Sequence, residues 1–136
     1  MKNLMCVCAL LLCASSTYAV ELDGLWVGSY AYPVETEQKP VTFSLVIKQK
    51  LDSGEFQAKL IEVNTFGTED AVALEADIHG KLEANGDISF SKKYNGVGGQ
   101  THTVWYKGKL KRRTVDGSWK IEEGLEGTFK MEKASK

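Results

Sequence analysis

Cysteine, proline and histidine are scarce in this chain, and each shortage excludes something. The 136-residue sequence has three cysteines, Cys6, Cys8 and Cys13, and all of them precede residue 20. Residues 1–19 read as a cleavable secretory signal. Lys2 is followed by an apolar run from Leu4 to Ala14, then by a short polar segment with Thr17 and Ala19 at the two small-residue positions before the cut. A run of about eleven residues is too short to span a bilayer, which takes about twenty, and no second candidate follows. Leu12, not a small residue, precedes Cys13, which argues against a lipid anchor. The mature chain therefore has no disulfide, no thiolate nucleophile and no cysteine metal site. No Asn-x-Ser/Thr sequon is present either, and the combination fits a bacterial periplasmic or secreted protein.

The other shortages are equally useful. Two prolines, Pro33 and Pro40, fall in one predicted connection, where a missing backbone donor harms no ladder. With only His79 and His102, on different predicted strands and in opposite phase, a two-histidine metal site is not expected. There is no HExxH, no Gly-x-Ser-x-Gly elbow and no reliably spaced carboxylate pair. Gly96-Val97-Gly98-Gly99 resembles a phosphate loop only in composition, since no Lys-Ser/Thr and no helix follow; it reads as a mobile hairpin loop. No cofactor is implied. Charge of one sign is also missing: the formal net charge is −1, becoming about −2 once Lys2 leaves with the signal. A short basic cluster from Lys107 to Arg113 is no electrostatic footprint for nucleic acid.

What the chain does have is alternation. Residues 20–136 form one domain by length, and eight strands are predicted at roughly 25–32, 41–50, 55–64, 71–83, 87–94, 101–111, 115–122 and 125–132. Turn chemistry separates them: Asp52-Ser53-Gly54, Ala84-Asn85-Gly86-Asp87, the glycine-rich Asn95–Gln100 stretch, Asp116-Gly117 and Glu123-Gly124. Helical periodicity is absent, although the Glu69–Glu75 stretch has room for one helical turn. Glycines beside aromatic residues recur at Gly24-Leu25-Trp26-Val27-Gly28, Tyr106-Lys107-Gly108, Gly117-Ser118-Trp119 and Gly127-Thr128-Phe129. Such a beat suits strands twisting tightly around a shared interior. The expected fold is all-β, an eight-stranded antiparallel up-and-down β-barrel, with a two-sheet β-sandwich as the alternative.

Strand phase picks out the residues that carry chemistry, because alternate side chains point inward. The apolar phase includes Trp26, Phe43, Leu45, Ile47, Val72, Leu74, Phe90, Trp119 and Phe129. A few polar residues share it: Tyr30 and Tyr32, Glu62, Lys92 and Tyr94, His102 and Tyr106. Polar groups inside a barrel must be paired or meet a ligand, since leaving one unpaired costs about 1–3 kcal/mol. Glu62 and Lys92 are either an internal ion pair, two side chains reaching the rim, or an anchor for a ligand head group. Ile61 and Val63 flank Glu62 in the other phase, so a bulge there would turn it outward. The tyrosines offer broad faces with hydroxyl donors, suited to lining a ligand or to filling a core. Trp26 and Trp119 are expected to plug the closed end or pack the core. Trp105 falls in the outward phase, where it either stands alone or joins Leu25, Val27 or Val63 in an outer patch.

These residues also carry a family likeness. Gly24-Leu25-Trp26 on the first strand of a short eight-stranded chain resembles the calycin-like barrels, the group containing lipocalins and avidins. Phe90-Ser91-Lys92-Lys93-Tyr94, Val104-Trp105-Tyr106-Lys107-Gly108, Asp116-Gly117-Ser118-Trp119 and Gly127-Thr128-Phe129-Lys130-Met131 resemble the second half of small bacterial lipocalin-like proteins. The resemblance implies an interior that accepts an apolar or amphipathic ligand. The avidins' biotin-contacting residues do not map onto these strands, so biotin binding is not implied. The expected function is a periplasmic or secreted small-molecule binding protein using Tyr30, Glu62, Lys92, Tyr94, His102 and Tyr106. A protein-binding module or enzyme inhibitor acting through residues 95–100 and the outer face is one alternative; a small barrel enzyme with Glu62 or His102 as base is the other.

Overall fold

The computed structural model describes residues 21–134 apart from 51 and 123, so the signal segment lies outside the described residues. Eight strands follow one another: β1 (Gly24–Ala31), β2 (Val41–Gln49), β3 (Glu55–Val63), β4 (Ala73–Leu82), β5 (Asp87–Tyr94), β6 (Thr103–Lys111), β7 (Thr114–Lys120) and β8 (Glu126–Lys133). Each pairs antiparallel with the next, and β1 also pairs with β8 from Trp26↔Lys133 to Ala31↔Thr128. That last ladder closes the sheet and leaves no edge strand to aggregate. It also decides against the sandwich, which would split the strands into two sheets. Among the described residues helix is limited to 3-10 turns at Val34–Thr36 and Val97–Gly99, and the Glu69–Glu75 stretch forms no helix.

Alternation becomes burial with little interruption. Along β3 the residues from Phe56 to Glu62 alternate strictly between buried and exposed, and the buried set from all strands merges into one core. One expectation fails at β4. The strand begins at Ala73, two residues later than predicted, so Val72 lies outside the ladder and is 94% exposed. The reason is the preceding loop, in which Asn64 donates from Nδ2 to the carbonyls of Thr68 and Ala71 and accepts from the Gly67 N–H. These bonds hold residues 64–71 as a compact turn before the strand can start.

The two ends of the barrel differ. At the end where β1 begins, Leu22 is fully buried, and its carbonyl accepts the Trp26 indole N–H at 2.8 Å. Gln49 and Asp23 fasten this cap through the Leu22 and Gln49 backbone amides. Trp26 therefore plugs the closed end. Above it the interior is filled by rings: Phe90 and Tyr106 stack at 4.7 Å, and Phe129 meets both edge-on. Burying an aliphatic or aromatic side chain of this size contributes about 1.5–3 kcal/mol. A core of this kind holds the domain together without disulfides.

Outward positions on the strands mix Leu25, Val27, Val46, Ile61 and Val63 with lysine, glutamate, serine and threonine, and Lys48, Lys59, Lys93, Lys107, Lys120 and Lys130 are all exposed. These charges interrupt the continuous apolar outer band that a membrane barrel carries. No helix among the described residues is long and apolar enough to cross a membrane. Trp105 does point outward, 41% exposed, but on β6 between Ser91 and Lys120. Leu25, Val27 and Val63 lie on β1 and β3, so Trp105 stands apart from them on another wall.

The opposite, open end is formed by the connections after β1, β3, β5 and β7, and its geometry depends on Trp119. The indole N–H of Trp119 donates to the Ala31 carbonyl at 3.0 Å, and Gly127 lies directly across the ladder from it. A Cβ on Gly127 would meet the Ala31 carbonyl oxygen and come within 2.6–2.7 Å of the indole. Backbone and ring both block it. Gly127→Ala is expected to cost about 1–3 kcal/mol through overpacking, read by urea denaturation; an unchanged midpoint would show that the ring has room to move aside.

Candidate ligand site at the open end of the barrel

The site begins with β5. Lys92 occupies an inward position between Phe90 and Tyr94, and its strand neighbours in the ladder are Ile78 and Val104. Surrounded by apolar side chains, its ammonium must find a counter-charge, and it finds Glu62 on β3 across the lumen. The Lys92 Nζ donates to Glu62 Oε1 at 2.9 Å. Both residues are at most 2% exposed. Glu62 is thus inward without a bulge, and the pair is internal: neither side chain reaches the rim.

Three tyrosines surround that ion pair. The Tyr30 hydroxyl donates to Glu62 Oε2 at 2.5 Å, so each carboxylate oxygen has its own donor. The rings of Tyr30, Tyr94 and Tyr106 lie 4.5, 4.6 and 5.8 Å from the Lys92 Nζ. Their negative faces stabilise the ammonium where water is excluded. No buried side-chain nitrogen or oxygen among the described residues lacks a partner.

Burial and charge set the protonation of this cluster. Removal from water, followed by the Glu62 charge, raises Tyr30, Tyr94 and Tyr106 well above the ordinary tyrosine value. Tyr32 rises for the same leading reason. All four phenols therefore stay protonated and remain hydrogen-bond donors at any physiological pH. Burial pushes Lys92 down, and Glu62 opposes that shift by favouring the charged form.

The interior is not hollow along its length. Space opens above the ion pair, in a cavity of about 110 Å³ facing the mouth. Lys92, Tyr30, Tyr94 and Tyr106 form its deeper wall, while Tyr32, Phe66, His102, Trp119, Ile121 and Leu125 line the approach. Five of the six sequence-predicted site residues thus meet at one hollow. The sixth, Glu62, stands behind Lys92 and does not line it.

His102 differs from its expected placement. Strand β6 starts at Thr103, so His102 belongs to the preceding loop and is exposed. Its ring packs on Tyr94 at 4.7 Å and beside Phe66 at 5.9 Å. Among the described residues, no group of three His, Cys, Asp or Glu is arranged to hold a metal. Residues 95–100, expected to be a mobile loop, form a hydrogen-bonded turn. The Gly96 amide donates to Gln100, the Gly99 amide to Gly96, and the Thr68 amide to the Gly98 carbonyl.

Phase analysis missed two contributors. Phe66 reaches the mouth from the turn held by Asn64, packing edge-on to Tyr94 at 5.7 Å; no alternation covers a loop residue. Trp119 packs in the core as expected, 4% exposed, and from there its ring also walls the mouth, edge-on to Tyr30 and Tyr32. The Asn64-Thr65-Phe66-Gly67 turn chemistry was the available signal for the first. For the second, the antiparallel strand direction sufficed, since Trp119 lies near the end of β7.

Comparisons with known proteins bear on the architecture. No protein-family model matches the chain, and no curated protein matches it. Among solved structures, a redesigned β-barrel superposes with a TM-score of 0.67 at 10% identity, covering 84% of this chain and 92% of that one. A de novo designed fluorescence-activating β-barrel gives 0.57 at 10% identity, covering 82% and 93%. The fluorescent protein UnaG gives 0.44 at 13% identity, covering 85% and 97%. At these identities the likeness to the two designed barrels is one of fold.

Proposed function

We propose that this chain is an exported binding protein of the calycin-like type that holds one end of a small, partly apolar molecule in the mouth of its barrel. The observation that carries this reading is the cavity above Lys92, walled by rings and equipped with phenol donors that do not ionise. Apolar walls with a few convergent polar groups are the usual make-up of a small-molecule site. The volume narrows the ligand. Drug-sized ligands occupy about 300–1,000 Å³, whereas about 110 Å³ holds roughly the share of three or four waters. A single planar ring or a short branched end enters, and the remainder of the molecule lies among the loops. Export is supported by the Lys2 and Leu4–Ala14 leader pattern.

Native mass spectrometry of the mature protein, purified from its own envelope, tests the reading. The expected result is a reproducible extra mass that disappears on denaturation and is lost in Ile121→Trp, where the new ring fills the approach. Retention of that mass by a folded Ile121→Trp protein would place the ligand elsewhere. A clean protein mass, together with no response of the Trp119 fluorescence to small aromatic alcohols, would overturn the binding reading.

A further inference from the structure

Lys92 is the one buried lysine among the described residues, and it is the only lysine or arginine lining the cavity. Its ion pair with Glu62 satisfies both groups, and Lys92 nevertheless also lines the cavity at the mouth. We propose that Lys92 captures a small aldehyde or ketone, a planar aromatic carbonyl by preference, as a reversible imine. This rests on the reading of the mouth as a binding site and names the chemical class it takes.

The geometry supplies each element of the step. Nucleophilic attack needs the lone pair of the neutral amine, and a lysine desolvated among apolar groups yields its proton more readily than one in water. Burial acts on Lys92 in that direction. Glu62 Oε1, at 2.9 Å from Nζ, is placed to take that proton. The nitrogen then bonds to the carbonyl carbon and passes one of its two remaining protons to the carbonyl oxygen, giving a carbinolamine with one N–H and one hydroxyl. Glu62 returns a proton to that hydroxyl, which leaves as water as the C=N bond forms. No electrons enter or leave: amine and carbonyl give imine and one water. The protonated phenol of Tyr106 lines the same hollow and is the donor for the carbonyl oxygen, while Tyr94 is engaged with Glu62. The surrounding rings stack on a planar substituent and keep bulk water from reversing the condensation. Lys93, the next residue, points outward and is exposed, so the same strand carries its own reference amine.

Benzaldehyde is the probe, with cyanoborohydride present to reduce any imine, followed by peptide mapping of the intact wild-type mature protein at neutral pH. The expected result is modification of Lys92 at least about tenfold faster than Lys93. Benzyl alcohol, which fits the same hollow but has no carbonyl, should slow Lys92 and leave Lys93 unaffected. The preference should narrow as pH approaches 10, where exposed lysines begin to lose their protons; a purely structural Lys92 would show no such profile. If benzyl alcohol perturbs Trp119 fluorescence while Lys92 stays unmodified, the imine proposal falls and the binding site stands. If neither compound engages the mouth, both readings fall.

Discussion

Lys92→Met should lower the stability of the barrel by about 3–5 kcal/mol at neutral pH, the scale expected when one partner of a buried ion pair is removed. Glu62 is at most 2% exposed and its two oxygens accept from Lys92 and Tyr30. Without the lysine, a negative charge is stranded among rings. Pairing the change with Glu62→Leu should recover much of the loss, since a well-packed apolar pair often matches a buried ion pair in stability. Urea denaturation of the two single variants and the double variant gives the coupling directly. A Lys92→Met protein within about 1 kcal/mol of wild type would mean that water reaches Glu62 and the pair is not buried as described.

The second large effect lies at alkaline pH. In the unfolded chain tyrosines ionise near their ordinary value of 10, whereas burial and then the Glu62 charge hold Tyr30, Tyr94 and Tyr106 far above it when folded. Above pH 10 the folded state therefore binds more protons than the unfolded state, and stability falls as pH rises. Three such groups give a slope of about 4 kcal/mol per pH unit once the unfolded phenols have titrated. Lys92 acts in the opposite sense. Its folded value is depressed by burial, so the unfolded chain binds the extra proton below the ordinary lysine value of 10.5, and stability gains through this group as pH rises to that point. Beyond it the tyrosines act alone. Tyr30, Tyr94 and Tyr106 should therefore give no separate phenolate titration near pH 10; apart from the half-buried Tyr32, phenolate absorbance should rise in a single cooperative step coincident with loss of the β-sheet signal. Phenolate absorbance beyond that of Tyr32 appearing near pH 10 with the sheet intact would show that these hydroxyls face water.

Much of this was legible in residue order, for a reason particular strands make plain. Along β5, Ile88, Phe90, Lys92 and Tyr94 share one phase, and a two-residue repeat allows no other face for Lys92 once its neighbours are buried. Tyr30, Glu62 and Tyr106 followed from the same rule. His102 and Val72 did not, because both sit just before a strand, where loop hydrogen bonds and not alternation decide where the ladder starts. Phe66 lay beyond reach for the same reason.

By itself, then, the order of residues determined eight antiparallel strands, most of the inward set of each strand, and the candidates for a polar cluster of phenols, one lysine and one glutamate. These depend on local periodicity and turn chemistry. Only the tertiary structure decided that the β1–β8 ladder closes the sheet, that Lys92 meets Glu62 two strands away, that Leu22 and Trp26 close one end, and that free space survives as about 110 Å³ at the other. Those outcomes depend on strand stagger around the closed sheet and on how far each side chain reaches across the lumen. Both are properties of the closed barrel as a whole, and no single strand contains them.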